Sequence, residues 1–347
     1  MPIRVLVVDD SAVMRNVLRE ALGSDPEIEV VGSASSAEAA RSAIQVRNPD
    51  VITLDINMPG TDGLTFLQQL MRLRPSRVVM VSSLTLAGAD ATLRALEMGA
   101  VDFAAKPSAG EGGIAAFQAE ILNKVKSAAT AHVPWAALQV PHEALPTGSS
   151  SYDRLVALGG STGAVSALEY IIGALPGDAP ALAIAVHMPA PFTNQFANRL
   201  NKICAMKVVE AEDGMPIEQG CAYIAPGDFH FTVVRNGGGF RCRVASGERV
   251  GGFRPSVDVL LSSVALTAGP DAVGIILTGL GRDGAVGLKA MRAAGARTAC
   301  QDEKTSLIYG MPGAAVAVGA AETELPLSGI PGYLLASARI GRRSTLR

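Results

Sequence analysis

Residues 159–163 read Gly-Gly-Ser-Thr-Gly, a serine set between glycines directly after the apolar run Leu155–Leu158 and ahead of a helix-period segment. A serine at such a strand-to-helix turn holds its hydroxyl exposed, in a backbone geometry that bulkier neighbours obstruct. The amides that open the helix then point at any negative charge gathering there. Two chemistries fit this turn: Ser161 as a nucleophile, or the glycines as a cradle for a phosphate.

A nucleophilic serine needs a base and an acid to orient that base. Of the four histidines, His132 and His142 fall in a proline-rich stretch, which leaves His187 and His230. His187 ends the apolar run 181–186, with Pro189 stopping the strand just beyond it. His230 opens a β-rich arm and stays as the alternative base. Among the acids, Asp283 stands apart because it lies in a second glycine turn, "TGLGRDGAVG", after the apolar run 272–277. Ser161, His187 and Asp283 each follow a strand at its carboxyl end, where parallel α/β sheets gather their chemistry. The order Ser, His, Asp differs from the Ser, Asp, His order of α/β-hydrolases, so an ordinary lipase fold is not expected.

A second group lies in the first third of the chain: Asp9 and Asp10, Asp55, Ser82 and Lys106. Three carboxylates in one crevice repel each other unless a cation joins them, and hard oxygen ligands with room for water suit Mg²⁺. The bland reading, aspartates capping the following helices, serves one such residue better than five matching positions.

These residues need elements to place them. In residues 1–107 the runs "RVLVVDD", "EIEVVGSAS", "DVITLDI", "RVVMVSS" and "VDFAAKP" alternate with helix-period segments. Strands apolar throughout and joined by helices predict a parallel sheet buried on both faces. After residue 152 the alternation resumes in "RLVALGG", "ALAIAVHMP", "CAYIAPG", "AVGIILTGLG" and "ARTACQ". Two β-rich runs flanking "NGGG" near residue 237 predict an antiparallel hairpin added to that second sheet. Between the halves, residues 128–151 hold three prolines and a serine cluster, the composition of a linker, with Trp135 inside it. The expected domains are 1–127, a linker 128–151, and 152–342.

Composition sets outer limits. At 347 residues, 48% hydrophobic and 18% charged, the chain suits two well-buried domains rather than disorder. A net charge of −2 offers no general attraction to nucleic acid or an anionic membrane. Four widely spaced cysteines with no C-x-x-C pair read as reduced thiols. No run reaches the roughly 18 apolar residues of a membrane span, so a cytoplasmic monomer without membrane insertion is expected.

Residues 1 to about 125 resemble the response-regulator receiver domain, through Asp9-Asp10, "DINMPGTDG" from Asp55, Ser82 and Lys106-Pro107. The resemblance implies a flavodoxin-like receiver whose Asp55 takes a phosphoryl group from a histidine kinase. It also implies Mg²⁺ held by Asp10, Asp55 and the backbone carbonyl of Asn57 with Asp9 beside it, and phosphoryl sensing by Ser82 and Lys106. A cis Lys106–Pro107 peptide is expected with it.

Residues 152 to about 340 resemble the catalytic domain of the chemotaxis protein-glutamate methylesterase (CheB) family, through "GGSTG", "HMP", "YIAPGD", "RPSVDVL", "ILTG" and "YGMP". The resemblance assigns Ser161 as nucleophile, His187 as base and acid, and Asp283 as the orienting acid. It places the oxyanion on the backbone N–H groups of Thr162 and Leu280. The implied reactions are hydrolysis of glutamate methyl esters and deamidation of glutamines on chemoreceptor cytoplasmic domains, with no organic cofactor. Ala164, Leu280 and Arg282 depart from the family pattern, and Arg282 sits beside the acid. A receiver ahead of a hydrolase suggests that it covers the Ser161 crevice until Asp55 is phosphorylated.

Two other classes compete. A nucleotide-binding module lacks support, since there is no G-x-G-x-x-G and the next strand ends in His187 rather than a ribose-binding acid. A non-enzymatic adaptor is disfavoured by the presence of all three triad residues.

Overall fold

The computed structural model describes residues 1–83, 85–107, 113–132, 152 and 154–339. The chain separates into two compact units that divide between residues 135 and 136. Residues 133–151 of the expected linker, with Trp135 and His142, and residues 340–342 of the expected second domain lie outside the described residues.

In the first unit all five apolar runs form strands: β1 (Ile3–Val8), β2 (Ile28–Ala34), β3 (Val51–Asp55), β4 (Arg77–Ser82) and β5 (Asp102–Ala105). They pair in parallel in the order β2-β1-β3-β4-β5. The helices are α1 (Ala12–Gly23), α2 (Ala37–Arg47), α3 (Gly63–Leu73), α4 (Leu86–Glu97) and α5 (Gly113–Thr130). Ser11, Ser36, Asp62 and Thr85 start α1 to α4, each accepting a backbone N–H through its side-chain oxygen. The strand order reverses between β1 and β3. A crevice therefore opens beyond their carboxyl ends, where Asp9 and Asp55 lie. Lys106–Pro107 is trans, the ordinary X–Pro state, and among the described residues the cis peptide is Arg254–Pro255.

The second unit contains β6 (Leu155–Gly160), β7 (Leu182–Val186), β8 (Lys207–Glu210), β9 (Pro216–Ile217), β10 (Cys221–Ile224), β11 (His230–Asn236), β12 (Gly239–Ala245), β13 (Ala272–Ile276), β14 (Arg297–Gln301) and β15 (Thr323–Leu325). Its helices are α6 (Ala164–Ala174), α7 (Ala190–Ile203), α8 (Val257–Thr267), α9 (Ala285–Ala293), α10 (Gly310–Ala317) and α11 (Ile330–Ala338). Seven strands form a parallel sheet in the order β15-β14-β13-β6-β7-β10-β8. β11, β12 and β9 form a separate antiparallel sheet, the expected hairpin with one short strand added. Every residue of β6, β7 and β13 is buried, which is why these strands read as unbroken apolar runs. Each Leu or Ile so buried contributes about 1.5–3 kcal/mol relative to exposure. The edge strands β8 and β15 escape a sequence reading because they are short and only partly buried, so neither carries an unbroken apolar run.

Cys221, Cys242 and Cys300 are buried and Cys204 is half-buried, all four as free thiols. Among the described residues no helix is long and apolar enough to cross a membrane.

Candidate functional site

The strand order of the second sheet turns at β6, whose neighbours β13 and β7 lead away in opposite directions. Ser161 follows β6, His187 follows β7, and Thr278 and Asp283 lie in the loop after β13. The register pairs Gly160 with Val186, so Ser161 and His187 occupy the next positions on adjacent strands, whose backbones run about 4.8 Å apart. The His187 N–H donates to the Gly160 carbonyl at 3.4 Å.

Two glycines shape the turns. Gly163 caps α6 with φ +84°, and Gly284 caps α9 with φ +94°, both in the left-handed region. A Cβ on Gly163 would also stand 2.8 Å from Leu307 Cβ, so the turn after the serine excludes other residues twice over.

Asp283 is buried and fully engaged. Its Oδ2 accepts from His187 Nε2 at 2.8 Å and from the Val257 amide at 2.7 Å. Its Oδ1 accepts from Ser256 Oγ at 2.9 Å and from the Asp258 amide at 3.0 Å. The carboxylate therefore sits on the N-terminus of α8, whose N-cap is Ser256. Burial alone pushes its pKa up; the His187 bond and the α8 amides outweigh that and hold it below the ordinary value of 3.8. Arg282 is exposed, and the groups that set the charge of Asp283 are His187 and the α8 amides. The exchange runs both ways, because the Asp258 side chain accepts the Gly287 amide of α9 at 2.7 Å.

An ionised Asp283 only accepts, so Nε2 is the ring nitrogen that donates to it. Nδ1 is buried and has no hydrogen-bond partner, so the Ser161 hydroxyl is not bonded to the ring in this state. Such bonds often tighten only once substrate is bound. Nδ1 is thus the ring nitrogen without a partner, and the bond from Nε2 to the acid is the reverse of the ring orientation in chymotrypsin-type triads. His230 is engaged elsewhere, its Nε2 at 2.8 Å from the Glu248 carbonyl oxygen.

Phe253 stacks on the His187 ring at 3.7 Å between centroids and 4° between planes. This face-on contact fixes the ring tilt that the Asp283 bond alone leaves free. Because aromatic pairs contribute about 0.5–1.5 kcal/mol, Phe253→Leu is expected to lower kcat about 2–12-fold with KM unchanged. Steady-state kinetics on the variant check this, and an unaltered kcat refutes it.

Thr162 is buried just ahead of α6, and Leu280 is exposed in the loop after β13. Thr162 is thus within the Ser161 turn after β6, and Leu280 in the loop that leaves the neighbouring strand β13.

In the first unit, carboxylate oxygens of Asp9, Asp10 and Asp55 all lie within 4.8 Å of one another. Lys106 Nζ bridges Asp9 at 3.0 Å and Asp55 at 2.9 Å. Ser11 N–H donates to Asp9 Oδ1 at 2.9 Å, which orients that side chain. Apart from the lysine contact, Asp9 Oδ2 and both Asp55 oxygens are buried without a well-formed hydrogen bond. Burial raises the pKa of Asp55 and the charge of Asp9 adds to the rise, against the pull of Lys106. The opposite balance holds at Lys106, where the two carboxylates overcome burial and raise its pKa. Asn57 is exposed in the loop directly after β3. Ser82 lies at the end of β4 with its hydroxyl turned to the Gly88 carbonyl at 3.2 Å, in the first turn of α4. Asp9, Asp10, Asp55 and Lys106 therefore form one cluster, while the Ser82 hydroxyl is spent on α4.

Three contributors escape a reading of sequence alone: Phe253, Ser256 and Thr278. Ser256 carries a recoverable signal, since Ser-Val-Asp ahead of an apolar run marks a helix start. Nothing local distinguishes Phe253.

The CheB methylesterase family matches residues 156–334, and the response regulator receiver domain matches residues 5–118. A Caulobacter vibrioides protein-glutamate methylesterase/protein-glutamine glutaminase 1 is 52% identical, over 97% of this chain and 99% of that protein. The Xanthomonas campestris pv. campestris protein of the same name is 49% identical, over 96% and 97%. The solved catalytic domain of Thermotoga maritima CheB methylesterase aligns with a TM-score of 0.52 and 33% identity, covering 54% of this chain and 99% of that one.

Proposed function

Because the chain belongs to the CheB methylesterase family, with a response-regulator receiver ahead of the catalytic domain, we propose that it demethylates glutamate methyl esters and deamidates glutamines on chemoreceptor cytoplasmic domains under control of receiver phosphorylation. The observation that carries the catalytic assignment is the His187–Asp283 pair, docked on α8 with Nδ1 unpaired where the strand bearing Ser161 ends.

Ser161 Oγ attacks the ester carbonyl carbon as its proton passes to His187 Nδ1. The negative charge that develops on the carbonyl oxygen is met by the N–H groups of Thr162 and Leu280. Asp283 stabilises the imidazolium through Nε2–H without taking the proton. Collapse of the intermediate breaks the C–O bond, and Nδ1–H protonates the departing methoxide to methanol. Water, deprotonated by Nδ1, then frees the glutamate side chain and restores Ser161. With a glutamine substrate the leaving group is ammonia, and its protonation by Nδ1–H becomes more demanding.

In the receiver, Asp55 is the phosphoacceptor, a chemotaxis histidine kinase the donor, and Ser82 and Lys106 the sensors. The all-oxygen donor set, in which two of the buried carboxylate oxygens share the single Lys106 ammonium, fits a small divalent cation. Asp9, Asp10, Asp55 and the Asn57 carbonyl would hold Mg²⁺, which neutralises charge at Asp55 when bound. The 2.9 Å contact of Lys106 with Asp55 supports its role in following a phosphoryl group added there. The hydrolytic half requires no cofactor, and the chain acts as a cytoplasmic monomer.

The test is methanol release from purified methylated receptor with and without a small phosphodonor. The donor is expected to raise the rate, and Asp55→Asn to abolish that rise. No methanol from the phosphorylated chain refutes the methylesterase reading, and a rise that survives in Asp55→Asn refutes the phosphoacceptor.

A further inference from the structure

We propose that Thr278 is a positioning residue of the hydrolytic site, and that its hydroxyl sets the separation of the two turns that carry the nucleophile and the oxyanion donors. The proposal rests on Ser161 being the nucleophile.

Thr278 is 2% exposed, so water does not serve its polar groups, and each is used within the protein. Its carbonyl accepts the Ser161 amide at 3.0 Å. Its Oγ1 stands 3.0 Å from the Thr162 carbonyl and 3.2 Å from that of Ile308, and accepts the Ile308 amide at 2.9 Å. A hydroxyl has one proton, so the two carbonyls share a single donor and the nearer one, on Thr162, takes the larger part. The Thr278 amide donates to Gln301 Oε1 at 3.0 Å, and Gln301 Nε2 is held in turn by the Thr305 carbonyl at 2.7 Å.

The consequence lies in which peptides are pinned. The Thr162 N–H belongs to the peptide between Ser161 and Thr162. That dipeptide is gripped at its start, Ser161 N–H, and at its end, Thr162 C=O, and both grips are on Thr278. The other donor, Leu280 N–H, stands two residues beyond Thr278 on the same strand end. Gly279 between them is fixed by donating to the Ile308 carbonyl at 3.0 Å and accepting from Met311 at 2.8 Å. One hydroxyl thus ties the segments around residues 161–163, 278–280 and 308. An oxyanion hole works only when its donors lie within a few tenths of an ångström of where the charge forms.

The discriminating set is Thr278→Val, Thr278→Ser and Thr278→Cys, in the full chain with a small phosphodonor. Valine keeps the shape and removes the hydroxyl. It is expected to lower kcat about 10–100-fold, less than the 10²–10³ of deleting a donor outright, with KM within about twofold. Serine is expected to restore kcat to within about threefold. The rate at which an alkyl fluorophosphonate labels Ser161 should fall in the valine variant by the same factor as kcat, since that adduct needs the same donors. A merely structural threonine would shift the melting temperature and leave kcat of the folded enzyme unchanged, and that result overturns the proposal. If the valine variant does not fold, cysteine against serine decides, because a thiol is a poor donor of similar size. At least a fivefold lower kcat for cysteine supports the clamp, and equal values overturn it. Ser161→Ala is run in parallel: activity retained there shows that the nucleophile assignment has failed, rather than the clamp.

Discussion

Changing Ser161 to alanine is expected to lower kcat for methyl-ester hydrolysis by about 10⁴–10⁶-fold, the loss seen when a triad nucleophile is removed. The expectation is sharp because the deletion is small. Ser161 is held by its main chain, whose amide donates to Thr278 and whose carbonyl accepts from Ala164 at 2.8 Å. Alanine keeps both bonds and suits the turn, so substrate binding and thermal stability should survive. Only the bond-forming oxygen is lost. The check is methanol release together with fluorophosphonate labelling, and both should vanish. A variant that keeps more than about one part in a thousand of its rate would mean that water attacks directly, or that another residue is the nucleophile.

Asp283→Asn is expected to be nearly as damaging, with kcat lower by about 10³–10⁴-fold. The carboxylate accepts four donors, from His187, Val257, Ser256 and Asp258. An amide has one oxygen and one NH₂ group, so it cannot receive all four. If its oxygen stays on Ser256 and the Asp258 amide, its NH₂ takes the place of Oδ2, where it opposes the Val257 N–H and faces Nε2, claiming that nitrogen's lone pair. The ring proton then moves to Nδ1, and the base for Ser161 is gone. Stability changes with a definite sign. A folded-state pKa below 3.8 means that Asp283 stabilises the fold above that pH and loses the contribution as pH falls through its lower folded value. The gap in melting temperature between wild type and Asp283→Asn should therefore be full at neutral pH and close on acidification below about pH 4. A gap independent of pH would show that the carboxylate charge is not what α8 holds.

Much of this was legible because two parallel sheets announce their strands as apolar runs, and chemistry collects where such runs end. Asp9, Asp55, Ser161, His187 and Asp283 all sit directly after or at the end of a strand, or in the loop that leaves it. That placement needs no knowledge of strand order. What escaped was contact between segments distant in sequence. Phe253 reaches His187 across 66 positions from a loop without periodicity. The α8 amides reach Asp283 because α8 and α9 pack together, which no window of sequence contains. The ring orientation of His187 was hidden for the same reason, since it depends on the side from which Asp283 approaches. The cis expectation at Lys106–Pro107 failed for a different cause: a dipeptide does not set its own isomer, and this one is trans.

The exchange between Asp258 and Asp283 has a consequence for how the site comes into being. Each acid satisfies amides at the start of the other's helix, so neither helix end is complete until both are docked. The setting of the Asp283 carboxylate is then a property of the helix pair, since two of its four donors are α8 amides that reach it only when α8 is docked. The orientation of His187 therefore rests on the packing of α8 against α9 as much as on the sheet that carries it.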